Sequence, residues 1–127
     1  MDEKIRVHIA DDHQILIDGV KAVLNLEPNI EVNGFSLNGV QVIEWFQNNS
    51  ADVLILDINM PVMDGKAAYG KMIEIKPDLK VLVASGYTLD SNVEALLQKG
   101  AHGFIQKPYS LENIAAKIKQ IKKSDPK

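Results

Sequence analysis

Cysteine is missing from all 127 residues, which rules out a disulfide framework and thiolate chemistry. That composition suits a reducing compartment. A basic excess is missing too. Fourteen lysines and arginines against 17 aspartates and glutamates leave a net charge of −3, so nothing sequence-wide points to nucleic acid. No apolar stretch approaches the roughly 20 residues needed to span a membrane. The N-terminus, "MDEKIRVHIADD", is acidic before it turns apolar, the reverse of a secretory leader. These absences lead to the expectation of a cytoplasmic globular domain. What is present is 46% hydrophobic residues, enough for a core in a chain of this length. There is no internal repeat, low-complexity segment or long linker. The expected organisation is one domain over residues 1–123, with 124–127 as a polar tail or linker stub.

Along the chain, apolar runs alternate with helical periods. Strands are expected at "IRVHIA" (5–10), "IEVNGF" (30–35), "DVLILDI" (52–58), "KVLVAS" (80–85) and "GFIQK" (103–107). Helices are expected at 13–26, 38–49, 65–76, 90–100 and 110–123. The first should bury Leu16, Val20, Val23 and Leu24, and Pro28 closes it. The second has Val40, Ile43 and Phe46 at helical spacing, with Trp45 and Phe46 divided between core and surface. The third has Ala68 and Met72 on one face and is weakened by Gly70. The last carries Leu111, Ile114, Ile118 and Ile121 as its stripe, with Ser110 as N-cap. The order is strand then helix, five times over. Continuous apolar strands are buried on both faces, so the fold class is α/β: a five-stranded, doubly wound parallel sheet with helices on both sides.

One stretch stands out, "VLILDINMPVMDG" (53–65). A run fit for full burial stops on a carboxylate, Asp57, and a buried charge needs a partner, a metal or a role in chemistry. In an open parallel sheet, ligands bind beyond the carboxyl ends of the strands. The first strand ends in Asp11 and Asp12, the third in Asp57, the fourth in Ser85, and the fifth in Lys107 followed by Pro108. Three carboxylates, a hydroxyl and an ammonium therefore converge on one edge. Crowded carboxylates resist full ionisation, and a hard divalent cation such as Mg²⁺ resolves this through oxygen ligands. Mg²⁺ typically takes one or two carboxylates, which leaves Asp57 an oxygen for attack on phosphorus. The metal, Lys107 and Ser85 would then offset the charge of a transferring phosphoryl group.

Each residue alone has a plainer reading. An Asp at a strand end is usually a cap or turn residue, and Asp12 is placed to cap the first helix. Lys107 alone reads as a solvated lysine, and Ser85 before Gly86 as a turn. His13 reads as a first-turn helix residue, with metal ligand as the minor alternative. His8 lies in a strand and His102 in a turn, neither with a nameable partner. Lys117, Lys119, Lys122 and Lys123 read as a solvated face, with partner docking as the sharper alternative. These lysines lack the interleaved aromatics of a nucleic-acid surface, so no direct nucleic-acid binding by this domain is expected. The joint pattern outweighs the separate plain readings, because every strand end inspected carries a group that phosphoryl transfer needs.

From about Ile5 to Lys122 the chain resembles a receiver (CheY-like) domain of a two-component response regulator. The resemblance rests on "ADDH" (10–13), "LILDINMPVMDG" (54–65), "VLVASGY" (81–87) and "GFIQKP" (103–108). It implies the flavodoxin-like (βα)5 fold, a histidine kinase or phosphotransfer protein as donor, Mg²⁺ as cofactor and Asp57 as phosphoacceptor. It implies that Asp11 and Asp12 hold the metal, one directly and one largely through water, with Asp57 and the backbone carbonyl of Asn59. Ser85 takes the place of the switch hydroxyl and Lys107 that of the charge-stabilising lysine. Pro108 follows a cis peptide bond in the family, and Gly65 matches the loop glycine. Phe104 stands at the aromatic switch position, where a phenylalanine can signal by packing alone.

Ser85 and Gly86 replace the commoner threonine and alanine. Asn59 and Tyr87 stand where the family resembled carries its tuners of dephosphorylation, which implies that Tyr87 would shield the phosphoryl group from water. The first half resembles regulators with a helix-turn-helix output, the second half receivers fused to hybrid kinases. The resemblance further implies an output partner on the α4-β5-α5 face, a homodimer as one option, and no turnover of a separate substrate. Two alternatives compete. A haloacid-dehalogenase-like phosphatase would need a second acid where Asn59 stands. A flavodoxin-like binding module would need a phosphate cradle where "DDHQ" stands.

Overall fold

Among the described residues, five strands alternate with five helices: β1 (Ile5–Ala10), α1 (Gln14–Leu24), β2 (Ile30–Ser36), α2 (Gly39–Asn48), β3 (Val53–Asp57), α3 (Gly65–Ile75), β4 (Lys80–Ser85), α4 (Ser91–Gln98), β5 (Gly103–Gln106) and α5 (Leu111–Lys123). The structure, a computed structural model, describes residues 4–58, 65–85, 91–107 and 111–123. All strand pairs are parallel, in the order β2-β1-β3-β4-β5. This is the doubly wound sheet that the sequence predicts. β2 leaves β1 on one side and β3 flanks it on the other, so the winding reverses at β1 and opens a crevice beside β3.

The central strands hold because both of their faces are covered. β3 is buried along its whole length, and β4 from Val81 on. Val53 and Ile55 join the core under α1 and α5, and Leu54 and Leu56 join the core under α2, α3 and α4. The alternation follows from the period of two along a strand. In α5, Ile114, Ile118 and Ile121 are buried, and in α3, Ala68 and Met72 are buried, as expected.

Two helical faces differ from the sequence reading. α1 buries Ile17, Val20 and Leu24, while Leu16 and Val23 are only half-buried. The run Ile15-Leu16-Ile17 offers three apolar candidates for one slot. Placing Ile17 inward leaves Ile15 87% exposed. α2 buries Gly39, Val42 and Phe46, leaving Val40 and Ile43 at its flanks. Asn38 caps α2 by accepting from Gln41 N–H, and Gln41 Oε1 accepts in return from Leu37 N–H at 2.7 Å. Ser110 lies outside the described residues.

β1 and β2 contain an irregularity that the pattern does not announce. Val7 pairs with Val32, but His8 pairs with Gly34, so Asn33 is an extra residue bulged from β2. A Cβ on Gly34 would sit 2.8 Å from the Trp45 ring and 2.9 Å from His8 Nδ1, so glycine is required by close approach. His8 is fully buried, with Nε2 2.7 Å from Ser36 Oγ and its ring centroid 4.2 Å from that of Trp45. Burial pushes the His8 imidazole down to about 3. His8 thus has a partner in Ser36. His102 has one too, because its Nδ1 accepts from Val81 N–H at 3.2 Å. Lys119 is not purely solvated either: it pairs with Glu27 at 2.8 Å.

Candidate functional site

Strand register carries the strand-end residues to one edge. Ala10 pairs with Leu56, which sets Asp11 and Asp57 at the same level on adjacent strands. Asp57 pairs with Ala84, so Ser85 lies one step beyond on β4. Ser85 pairs with Gln106, so Lys107 lies one step beyond β5. Lys107 N–H donates to the Ser85 carbonyl at 2.7 Å and Ile58 N–H to the Ala84 carbonyl at 3.1 Å, extending the ladders past the strand ends.

The side chains meet there. Asp11 and Asp57 are each 1% exposed. Lys107 Nζ stands 2.7 Å from Asp11 Oδ2 and 3.0 Å from Asp57 Oδ2. The Asp57 contact is an aligned hydrogen bond, whereas Asp11 Oδ2, though close to the ammonium, accepts no aligned one. Burial alone would lower the Lys107 ammonium, but its pairing with the carboxylates of Asp11 and Asp57 outweighs that and raises it above the usual lysine value. Asp11 Oδ1 accepts from His13 N–H at 2.9 Å, closing the turn into α1. His13, not Asp12, is the N-cap residue, and its side chain makes no capping bond. The plain reading of Asp12 as a helix cap is therefore corrected: Asp11 ties the turn, and Asp12 is left to face solvent.

Donor atoms of Asp11, Asp12, His13 and Asp57 all lie within 4.8 Å of one another. Three carboxylates against one ammonium leave two negative charges that Lys107 does not balance. That donor set, rich in oxygen and short of positive charge, fits a hard divalent cation. Ser85 is fully buried at the adjacent strand end. Phe104 pairs with Val83 and is half-buried against the core under α2, α3 and α4. Asn59, Tyr87 and Pro108 lie outside the described residues. What sequence reasoning missed is the contact of His8 with Ser36 and the bulge at Asn33 beside it. Ser36 C=O accepts from Asp11 N–H at 3.0 Å, which ties the His8 cluster to the site's edge. No local motif signals this link.

The family model of the response regulator receiver domain matches residues 7–119. The chain belongs to that family. Among curated relatives, it is 35% identical over 120 residues to the transcriptional regulatory protein DegU of Brevibacillus brevis, covering 94% of this chain and 51% of DegU. It is 38% identical over 119 residues to a protein-glutamate methylesterase/protein-glutamine glutaminase of Paramagnetospirillum magneticum, covering 91% of this chain and 31% of that one. The receiver thus spans about half, or less, of the curated relatives it matches. Among solved structures it is similar to the response regulator domain of Thermotoga maritima CheB, with a TM-score of 0.87, 26% identity, and coverage of 98% of this chain and 100% of that one. Receiver membership disfavours both the dehalogenase-like phosphatase and the flavodoxin-like binding module. No helix among the described residues is long and apolar enough to cross a membrane.

Proposed function

We propose that this receiver works in the cytoplasm and accepts a phosphoryl group on Asp57 from a phosphohistidine of a histidine kinase or phosphotransfer protein. The supporting observation is the convergence of Asp11, Asp57 and Lys107 within hydrogen-bonding distance, with Asp12 beside them. An Asp57 oxygen attacks phosphorus in line, a P–O bond forms, and the P–N bond to the donor imidazole breaks. Lys107, already bonded to Asp57 Oδ2, is placed to bear charge on the transferring group. Asp11, Asp12, Asp57 and the Asn59 carbonyl would hold Mg²⁺, which when bound adds positive charge at the phosphoryl oxygens.

The new phosphoryl oxygens offer acceptors to the Ser85 hydroxyl. Its movement opens space that Phe104 fills, and the α4-β5-α5 face repacks. This is a population shift driven by new charge-assisted bonds. That face then engages an output domain or a downstream protein, or a second copy of the receiver. Water later hydrolyses the acyl phosphate to aspartate and inorganic phosphate, so the domain, residues 1–123, turns over no separate substrate.

A phosphate-affinity gel tests this. Acetyl phosphate with Mg²⁺ retards the wild type. Asp57→Asn abolishes the retarded band, and omission of Mg²⁺ weakens it. A retarded band that survives in Asp57→Asn rejects the assignment.

A further inference from the structure

His13 plays no part in the chemistry above, yet its ring stands at the mouth of the same pocket. Nδ1 lies 2.8 Å from Asp11 Oδ1 and 3.1 Å from Asp12 Oδ1. The backbone bond from His13 N–H to Asp11 Oδ1 holds the residue against the acids. No capping bond occupies the side chain, and it is 65% exposed. On the inner side, Asp11 is buried and its Oδ2 accepts no aligned hydrogen bond. The imidazole nitrogen therefore belongs to the same donor cluster as three carboxylates.

Oxygen donors and imidazole nitrogen select different ions. Carboxylate, carbonyl and water suit Mg²⁺, whereas imidazole suits later first-row ions, whose affinities also rise along the Irving–Williams order. We propose that His13 is a metal ligand of this pocket, and that it shifts the pocket's selection from Mg²⁺ toward nitrogen-accepting divalent ions such as Co²⁺, Ni²⁺ and Zn²⁺. The inference rests on the pocket being a metal site. The competing role for His13 is a counter-ion that merely bonds the acids and leaves the cation when one binds.

Co²⁺ and Mg²⁺ serve as probes, with calorimetric titration of the wild type, His13→Ala, His13→Phe and Asp57→Asn, and proton NMR of the Co²⁺ complexes. In both His13 variants the Co²⁺-to-Mg²⁺ affinity ratio falls by about tenfold or more, the scale on which even outer-shell partners move metal affinity, while Mg²⁺ affinity stays within about twofold. The wild-type Co²⁺ complex shows a hyperfine-shifted, exchangeable imidazole proton that both variants lack. An unchanged ratio with no such resonance overturns the proposal and leaves the pocket reading standing. Failure of both ions to bind the wild type, or binding that Asp57→Asn leaves unaltered, overturns the pocket reading and the proposal together.

Discussion

Asp11 divides its two oxygens between a turn and an ion pair: Oδ1 closes the entry to α1, and Oδ2 faces Lys107. Such double use is illegible in "DDH", where two adjacent acids look equivalent. What the sequence does show is that a polar residue closes each of several apolar runs, and that is enough to nominate Asp57, Ser85 and Lys107. The His8–Ser36 contact was out of reach, because its partners lie 28 residues apart and meet only through the Asn33 bulge. It has a measurable consequence. Burial keeps His8 neutral in the fold, at about 3, while the unfolded chain protonates it near 6.5. Between those values the unfolded state binds more protons, so stability rises with pH there. The His8 contribution is complete above about pH 6.5 and is lost as pH falls, at up to about 1.4 kcal/mol per unit. Urea denaturation from about pH 7 to about pH 4 should therefore show a shallower acid limb in His8→Leu than in the wild type. Parallel limbs would remove His8 from the account.

Elements were legible where one pattern dominated. β3 and β4 are runs with no polar interruption, and their bounds fall within one residue of the expected ones. Helical phase was harder. In α1 three consecutive apolar residues compete for the inward slot, and only packing against the sheet selects Ile17. In α2 the small Gly39 and the branched Val42 are buried with Phe46, a choice that hydrophobicity alone does not make. Three of the glycines separate into two kinds. Gly34 faces the Trp45 ring and His8, so Gly34→Ala forces overpacking and should cost about 1–3 kcal/mol. Gly19 and Gly70 have open space where a Cβ would go, and both lie within helices, so alanine at either should stabilise by up to about 1 kcal/mol. Thermal melts of the three variants check the sign of each, and a stabilising Gly34→Ala would contradict the packing described for Trp45.

For the whole molecule, topology does what no single motif does. The winding reverses at β1, and register sets Asp11 level with Asp57 across the crevice. Alternation of apolar runs and helical periods made the fold class readable. The convergence of the strand ends followed from the rule for open parallel sheets rather than from the residues themselves. The site concentrates negative charge that Lys107 only partly offsets, so a bound divalent cation should stabilise the fold as well as the pocket. At one hundred times its dissociation constant, Mg²⁺ should raise the unfolding free energy by about 2.7 kcal/mol. Asp57→Asn should reduce that gain, and an equal gain in wild type and variant would place the ion elsewhere.

The most direct test of the central claim is chemical trapping. After incubation with acetyl phosphate and Mg²⁺, borohydride reduces an aspartyl phosphate to homoserine, and peptide mass mapping locates it. The account predicts homoserine at position 57 alone. Homoserine at position 11 or 12, or a phosphoryl group recovered intact on a serine or histidine, would contradict it.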